Sequence, residues 1–311
     1  MGKIKNREGE ISYNSKGLRM TLIKYNNCDD IIVRFDDGTE RKTQYRNFKN
    51  GHIRHPNDLK RIGEIGHNNF GSKMEIIKYN NYHNIDVYFP EYDWIYKNAT
   101  YQQFKNGEMS CPYEPRTYGV GYLGEGKYKS KENGKMTYHY DVWTRMLERC
   151  SKEFQEKNPT YKGCEVCDEW LNMQVFTEWY YKNRYEVNGE TMEIDKDILI
   201  PGNRLYSPET CCIVPSKVNS VFQRGNVKER NLPMGICKRK GRDCYMVQCN
   251  NPIDETWRRY RGDYKTIEEA LNVYKRDKEF VIKQVSEYYK EYLPEFIYEA
   301  MINWEIQMLY A

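Results

Sequence analysis

Apolar and polar residues alternate at Ile31, Val33 and Phe35, and the same alternation returns at Ile85, Val87 and Phe89. A period of two is the mark of a strand with one buried face. The surrounding residues repeat as well. Gly9-Glu10-Ile11 recurs as Gly63-Glu64-Ile65, and Gly17, Met20, Ile23, Tyr25, Asn26 and Asn27 recur as Gly71, Met74, Ile77, Tyr79, Asn80 and Asn81. After a two-residue insertion, Tyr45, Phe48-Lys49-Asn50-Gly51 and Pro56 recur as Tyr101, Phe104-Lys105-Asn106-Gly107 and Pro112. Agreement in order at this many positions indicates an internal duplication. Each unit, 1–60 and 61–115, predicts about three or four short strands with Asp-Gly or Asn-Gly turns, as in a small half-open β-barrel. Such units are either structural and protein-binding modules or modules that touch a DNA backbone.

Beyond residue 137 the period becomes helical. Val142, Trp143, Met146, Leu147 and Cys150 share one face of a helix expected from about Tyr140 to Glu156. A second is expected from about Asp168 to Arg184, with Trp170, Leu171, Val175, Phe176 and Trp179 as its core-facing stripe. The intervening 116–137 is rich in Gly and Lys and reads as a linker. After Leu232 three strands are expected, at Met234–Ile236, Cys244–Cys249 and Thr256–Gly262. A helix then starts at Thr266, where Thr266 and Glu269 form a capping box, and runs to about Tyr292 with Ala270, Val273, Tyr274 and Phe280 inward. Past Pro294, Glu295 to about Met308 predicts a last helix carrying Phe296, Ile297, Ala300, Met301 and Trp304. The fold class is α+β, multidomain: two β repeats, a linker at 116–137, a central module at 138–230, and a three-stranded sheet with helices at 231–311.

Composition sharpens this picture. Of 311 residues 30% are charged, which alone suggests disorder, but 29 Tyr and 6 Trp supply cores built on aromatic rings. No apolar run approaches membrane-spanning length and no segment resembles a signal peptide, so a cytoplasmic protein with ten reduced thiols is expected. The net charge is only +4, yet Lys217 to Lys265 holds twelve basic residues against five acidic. Basic residues interleaved with Tyr245, Trp257 and Tyr260 make an electrostatic footprint for nucleic acid. Duplex DNA is the favoured partner over RNA, and no membrane is implied.

Four motifs in order carry a resemblance across about residues 138–222. They are Trp143-x-x-Met146-Leu147-x-Arg149-Cys150, Tyr161-Lys162-Gly163-Cys164-x-Val166-Cys167-x-Glu169-Trp170, Ile194-Asp195-Lys196-Asp197, and Tyr206-Ser207-Pro208-Glu209-Thr210-Cys211. Together they resemble phage-encoded, homing-type HNH endonuclease-like proteins. The resemblance implies a β-hairpin and helix around one Mg²⁺ or Mn²⁺. It places Asp195 as the metal acid, Asp197 as a second carboxylate, Asn203 as support for the base, and Asn219 as the helical ligand. Lys196 falls where the general-base His belongs. An ordinary Lys is protonated at neutral pH and is a poor base, and the nearest upstream imidazole is His139. Cys150, Cys164, Cys167 and Cys211, with Cys212 spare, match family thiolates that would hold a structural Zn²⁺. The alternative is thiols packed in a core.

Residues 232–285 resemble the DNA-binding domain of plant ethylene-response factors through Pro233-Met234-Gly235-Ile236, the strands through Tyr245 and Trp257, and Thr266-Ile267-Glu268-Glu269-Ala270-Leu271-x-x-Tyr274. That resemblance implies a sheet in the major groove, with Lys238, Arg239, Lys240, Arg242, Tyr245, Arg258, Arg259 and Arg261 as DNA contacts. Two functions follow. One is a phage DNA-binding HNH-type endonuclease hydrolysing duplex DNA. The other is a catalytically inactive, nuclease-derived binding protein that regulates DNA or inhibits a host anti-phage defence complex through its N-terminal repeats.

Overall fold

A computed structural model describes residues 7–56, 61–222 and 232–306. The chain divides into two compact units between Cys111 and Pro112. The architecture is mixed α+β with several small antiparallel sheets.

In the first unit, strands β1 (Ile11–Tyr13), β2 (Arg19–Asn27), β3 (Asp30–Phe35) and β4 (Glu40–Thr43) form an antiparallel meander, followed by α1 (Tyr45–Lys49). The second repeat has the same order in β5 (Ile65–His67), β6 (Lys73–Asn81), β7 (Asn84–Phe89) and β8 (Trp94–Ala99), then α2 (Tyr101–Asn106). Even the irregularities are duplicated. The long strand is interrupted between Leu22 and Lys24 in one repeat and between Ile76 and Lys78 in the other. The alternating residues Met20, Leu22, Ile31, Val33 and Phe35 are buried with Phe48. Each buried side chain of this size contributes roughly 1.5–3 kcal/mol. Neither sheet closes into the expected barrel. Four strands are too few to wrap on themselves, and in the first repeat the helix covers the apolar face instead. A polar network recurs too. The Tyr45 hydroxyl donates to Glu10 at 2.7 Å and that of Tyr101 to Glu64 at 2.8 Å. Arg7 and Arg61 lie 4.4 and 4.1 Å from those ring centroids.

The second unit begins with the segment expected to be a linker, and it is instead packed. Tyr122 donates its N–H to Leu171 at 2.9 Å, and its carbonyl receives the Met173 N–H at 3.0 Å. A Cβ at Gly121 would collide with Leu147 and Trp143. Glycine serves close approach there, not flexibility. A hairpin of β9 (Lys131–Glu132) and β10 (Lys135–Met136) leads into α3 (Tyr138–Cys150). The helix expected to reach Glu156 breaks at Ser151, whose extended backbone and hydroxyl cap a separate α4 (Lys152–Lys157). The next helix is likewise preceded by a 3-10 turn at Asp168–Leu171, and Asn172 caps α5 (Met173–Asn183). Short β11 (Glu165–Val166) pairs in parallel with β13 (Leu205–Tyr206), and β12 (Met192–Asp195) pairs antiparallel with β14 (Cys212–Pro215), which runs into α6 (Ser216–Phe222).

The C-terminal sheet is β15 (Ile236–Lys238), β16 (Tyr245–Gln248) and β17 (Tyr260–Tyr264), antiparallel in that order. The last strand starts later than expected because Asp254 folds residues 254–257 into a turn, accepting the Thr256 N–H at 2.9 Å. Helix α7 (Ile267–Tyr289) starts at the expected capping box and packs Ala270, Leu271 and Tyr274 on Ile236 and Val247. The expected inward residues Phe280 and Val175 are exposed. Helix α8 (Glu295–Ile302) follows, and the expected end at Met308 lies outside the described residues. Val281, Ile282, Val285, Ile297 and Met301 share one core with Trp143, Trp170, Phe176, Val214 and Val218. Among the described residues no helix is long and apolar enough to cross a membrane.

Candidate functional site

Strand β12 carries Asp195 opposite Cys212 of β14, and α6 leaves directly from β14. Hairpin and helix therefore follow in the order that the resemblance implies. Asp195 ends the strand because its Oδ1 accepts the N–H groups of Asp197 and Ile198, each at 2.7 Å. That turns the chain and commits one carboxylate oxygen to the backbone. Asp195 is only 8% exposed. Burial first, then the neighbouring Asp197 charge, pushes its carboxyl up to about 6. The two amide donors and the Lys196 ammonium pull the other way.

Lys196 is also buried. Its Nζ donates to Asp197 Oδ2 and to the Asn203 carbonyl, both at 2.7 Å. Asn203 answers with its Nδ2, which donates to the carbonyls of Lys196 at 3.0 Å and Leu205 at 2.6 Å. Asp195, Lys196, Asp197 and Asn203 thus come together, and their bonds fasten the loop 196–205 to itself. Lys196 has the geometry of a clamp, with an acceptor on either side of its ammonium, and not that of a base open to water.

Asn219 of α6 reaches the same strand, but its amide donates to the carboxylate of Glu193. Sequence reasoning missed Glu193 and Arg149. Arg149 projects from α3 onto Tyr206 and is in electrostatic reach of Glu193. Burial is the largest influence on that guanidinium, yet Tyr206 and its neighbours leave it above its ordinary value. The signal for Arg149 lay in the Trp-x-x-Met-Leu-x-Arg-Cys motif, which puts it one turn beyond Met146 on the buried side of α3. His139 is committed elsewhere. Its Nε2 donates to the Lys129 carbonyl at 3.0 Å and its Nδ1 receives the Tyr181 hydroxyl at 3.0 Å.

A Mg²⁺ or Mn²⁺ site needs charged oxygens that face solvent and phosphate. The carboxylate expected to supply them is buried, held by amides, biased towards its protonated form and adjacent to an ammonium. This donor set does not fit a hard divalent cation. Among the described residues no group of three or more His, Cys, Asp or Glu side chains is placed to hold a metal ion. The four thiols expected as a zinc set are free. Burial first pushes Cys150 and Cys211 up to about 12 and Cys167 up to about 11, and all four thiols lie in or against one apolar core.

The C-terminal sheet sorts its basic residues into two kinds. Ile236 and Val247 face α7, so Cys237, Met246 and Asp263, aligned across the three strands, face away. Arg239 is ion-paired with Asp263, and Lys238 lies 3.5 Å from Asp243. Arg261 turns to the helix side. Its Nε donates to Asp277 at 2.6 Å and its guanidinium lies 4.1 Å from the Trp257 ring centroid. Tyr245 packs with the helix-facing core. Two of the expected DNA contacts, Tyr245 and Arg261, are thereby structural. Lys240, Arg242, Arg258 and Arg259 are exposed, and among the described residues none makes an ion pair. Comparison with protein-family models, curated proteins and solved structures found no match.

Proposed function

We propose that this chain is a DNA-binding protein built on an HNH-nuclease-like scaffold, docking duplex DNA through its C-terminal sheet without hydrolysing it. The observation that carries this reading is the placement of Lys240, Arg242, Arg258 and Arg259, exposed and without an ion pair among the described residues. Lys240 and Arg242 sit in the β15–β16 turn, while Arg258 and Arg259 sit in the β16–β17 connection. These are opposite ends of β16. Four residues of strand span roughly 13 Å, close to the ~12 Å width of a major groove. Cations at both ends can meet the phosphates of both strands while the face of Cys237, Met246 and Asp263 lies over the groove.

Absence of hydrolysis rests on the clamp at Asp195, Lys196 and Asn203, which directs its polar atoms inward. The experiment is a pair of assays on one preparation. Duplex binding is followed by electrophoretic shift, and supercoiled plasmid is incubated with Mg²⁺ and then Mn²⁺. Binding without nicking is expected. Nicking that disappears in Asp195→Ala would establish the enzyme instead.

A further inference from the structure

Within the second unit, the segment 127–139 and Tyr181 of α5 border an open polar cleft of about 570 Å³. Lys127, Lys129 and Lys135 line it together with Tyr128, Tyr138 and Tyr181. We propose that this cleft binds single-stranded nucleic acid, seating an unstacked base against the tyrosines and its phosphates against the lysines.

Three features of the cleft support this ligand. The first is charge. Lys127 is paired with Glu178 at 3.2 Å, but Lys129 and Lys135 make no ion pair among the described residues, and Glu132 is the one carboxylate in the lining. The second is the ring arrangement. Tyr128 and Tyr181 are stacked with centroids 5.6 Å apart and planes 23° apart, and Tyr138 and Tyr181 are each 45% exposed. Lys127 Nζ lies 4.9 Å from the Tyr128 ring centroid, so the rings left for a base are the exposed Tyr138 and Tyr181, and stacking on them is indifferent to base identity. A duplex offers only base edges in its grooves, so the match is to a single strand.

The third is rigidity. A carbonyl can only accept, so His139 carries its proton on Nε2 towards Lys129, and Nδ1 is the acceptor that fixes the Tyr181 hydroxyl. The Gln174 amide closes the other side, accepting the Tyr128 N–H at 3.0 Å and donating to its carbonyl at 2.9 Å. Tyr138 donates to the Met192 carbonyl at 2.8 Å and so ties the cleft to strand β12. The walls need no ordering on binding, which lowers the entropic cost of capture. His139, the imidazole nearest upstream of the hairpin module in sequence, thus acts as a positioning residue for this cleft.

The test uses the full chain and fluorescence anisotropy of a labelled oligothymidine about 12 nucleotides long. Lys129→Glu with Lys135→Glu, and separately Tyr181→Ala, should each weaken single-strand binding by about tenfold. Tyr181→Phe, which keeps the ring but loses the hydroxyl that His139 fixes, should fall between the wild type and Tyr181→Ala. Charge removal at Lys240, Arg242, Arg258 and Arg259 should leave it unchanged, so failure of the duplex reading and failure of this one are separable. The proposal is overturned if the oligothymidine does not bind. It is equally overturned if the cleft variants bind it with wild-type affinity, or if only the sheet variants lose it.

Discussion

Replacing Asp195 with Asn separates a structural carboxyl from a working metal ligand. Burial raises the folded-state value of this group from the ordinary 3.8 to about 6. A raised folded value means that the native state holds the proton more tightly than the unfolded chain does. The associated stability is complete below the unfolded value and is lost as pH rises through about 6. The shift corresponds to about 3 kcal/mol of destabilisation of the wild type at neutral pH. Asn carries no charge to desolvate, yet its Oδ1 can still accept the N–H groups of Asp197 and Ile198 that Asp195 accepts. Urea unfolding followed by tryptophan emission, at about pH 4 and about pH 7.5, gives the difference between wild type and Asp195→Asn at each pH. That difference should move in favour of the variant by up to about 3 kcal/mol between the two conditions. Comparing the two proteins at each pH cancels the titrating groups that do not interact with Asp195, leaving its own carboxyl and its coupling to Asp197 and Lys196. A difference independent of pH would mean an unperturbed carboxyl, and a move towards the wild type would mean a stabilised charged form; either result makes the buried-carboxyl argument wrong.

Four further outcomes are expected. Gly121→Ala should cost about 1–3 kcal/mol in the same urea titration, because the new methyl meets Leu147 and Trp143; an unchanged midpoint would mean that the 116–137 strap is loose. Thr266→Ala should lower stability by about 1 kcal/mol through loss of the α7 capping box, with Thr266→Ser largely retaining it. Exposed Cys28 should react first with a thiol reagent while Cys150 and Cys211, pushed up to about 12, stay unreactive in the native protein. EDTA should leave the melting temperature unchanged, and a drop on chelation would restore the zinc reading.

The sequence revealed most where local chemistry decides the outcome. The duplicated β units were readable because strand period and ordered residues recur in both copies. The short helices that end at Asn50 and Gly107, where turns between strands were expected, and the irregularity after Leu22 and Ile76 emerged only from the fold. The Thr266–Glu269 box located the start of α7 to the residue. Tertiary properties were hidden. Gly121 reads as part of a flexible linker, because its close approach to Trp143 depends on a helix elsewhere in the chain. Phe280 has helical spacing, but it is exposed and stacks on Trp257 at 5.9 Å between centroids. Basic residues of the last sheet read alike in sequence. Only the fold separates Arg261, facing Asp277, from Arg258 and Arg259. The Asp195 motif identified the correct turn, while the inward direction of its polar atoms emerged from burial.

Duplex binding through four exposed cations is the claim on which the account turns. The most direct measurement is the salt dependence of affinity for a short duplex, comparing wild type with Lys240→Gln, Arg242→Gln, Arg258→Gln and Arg259→Gln combined. Four phosphate contacts predict a slope of log affinity against log salt of roughly −3 to −4 for the wild type, and a nearly flat line for the variant. A variant that keeps the wild-type affinity and slope would contradict the account.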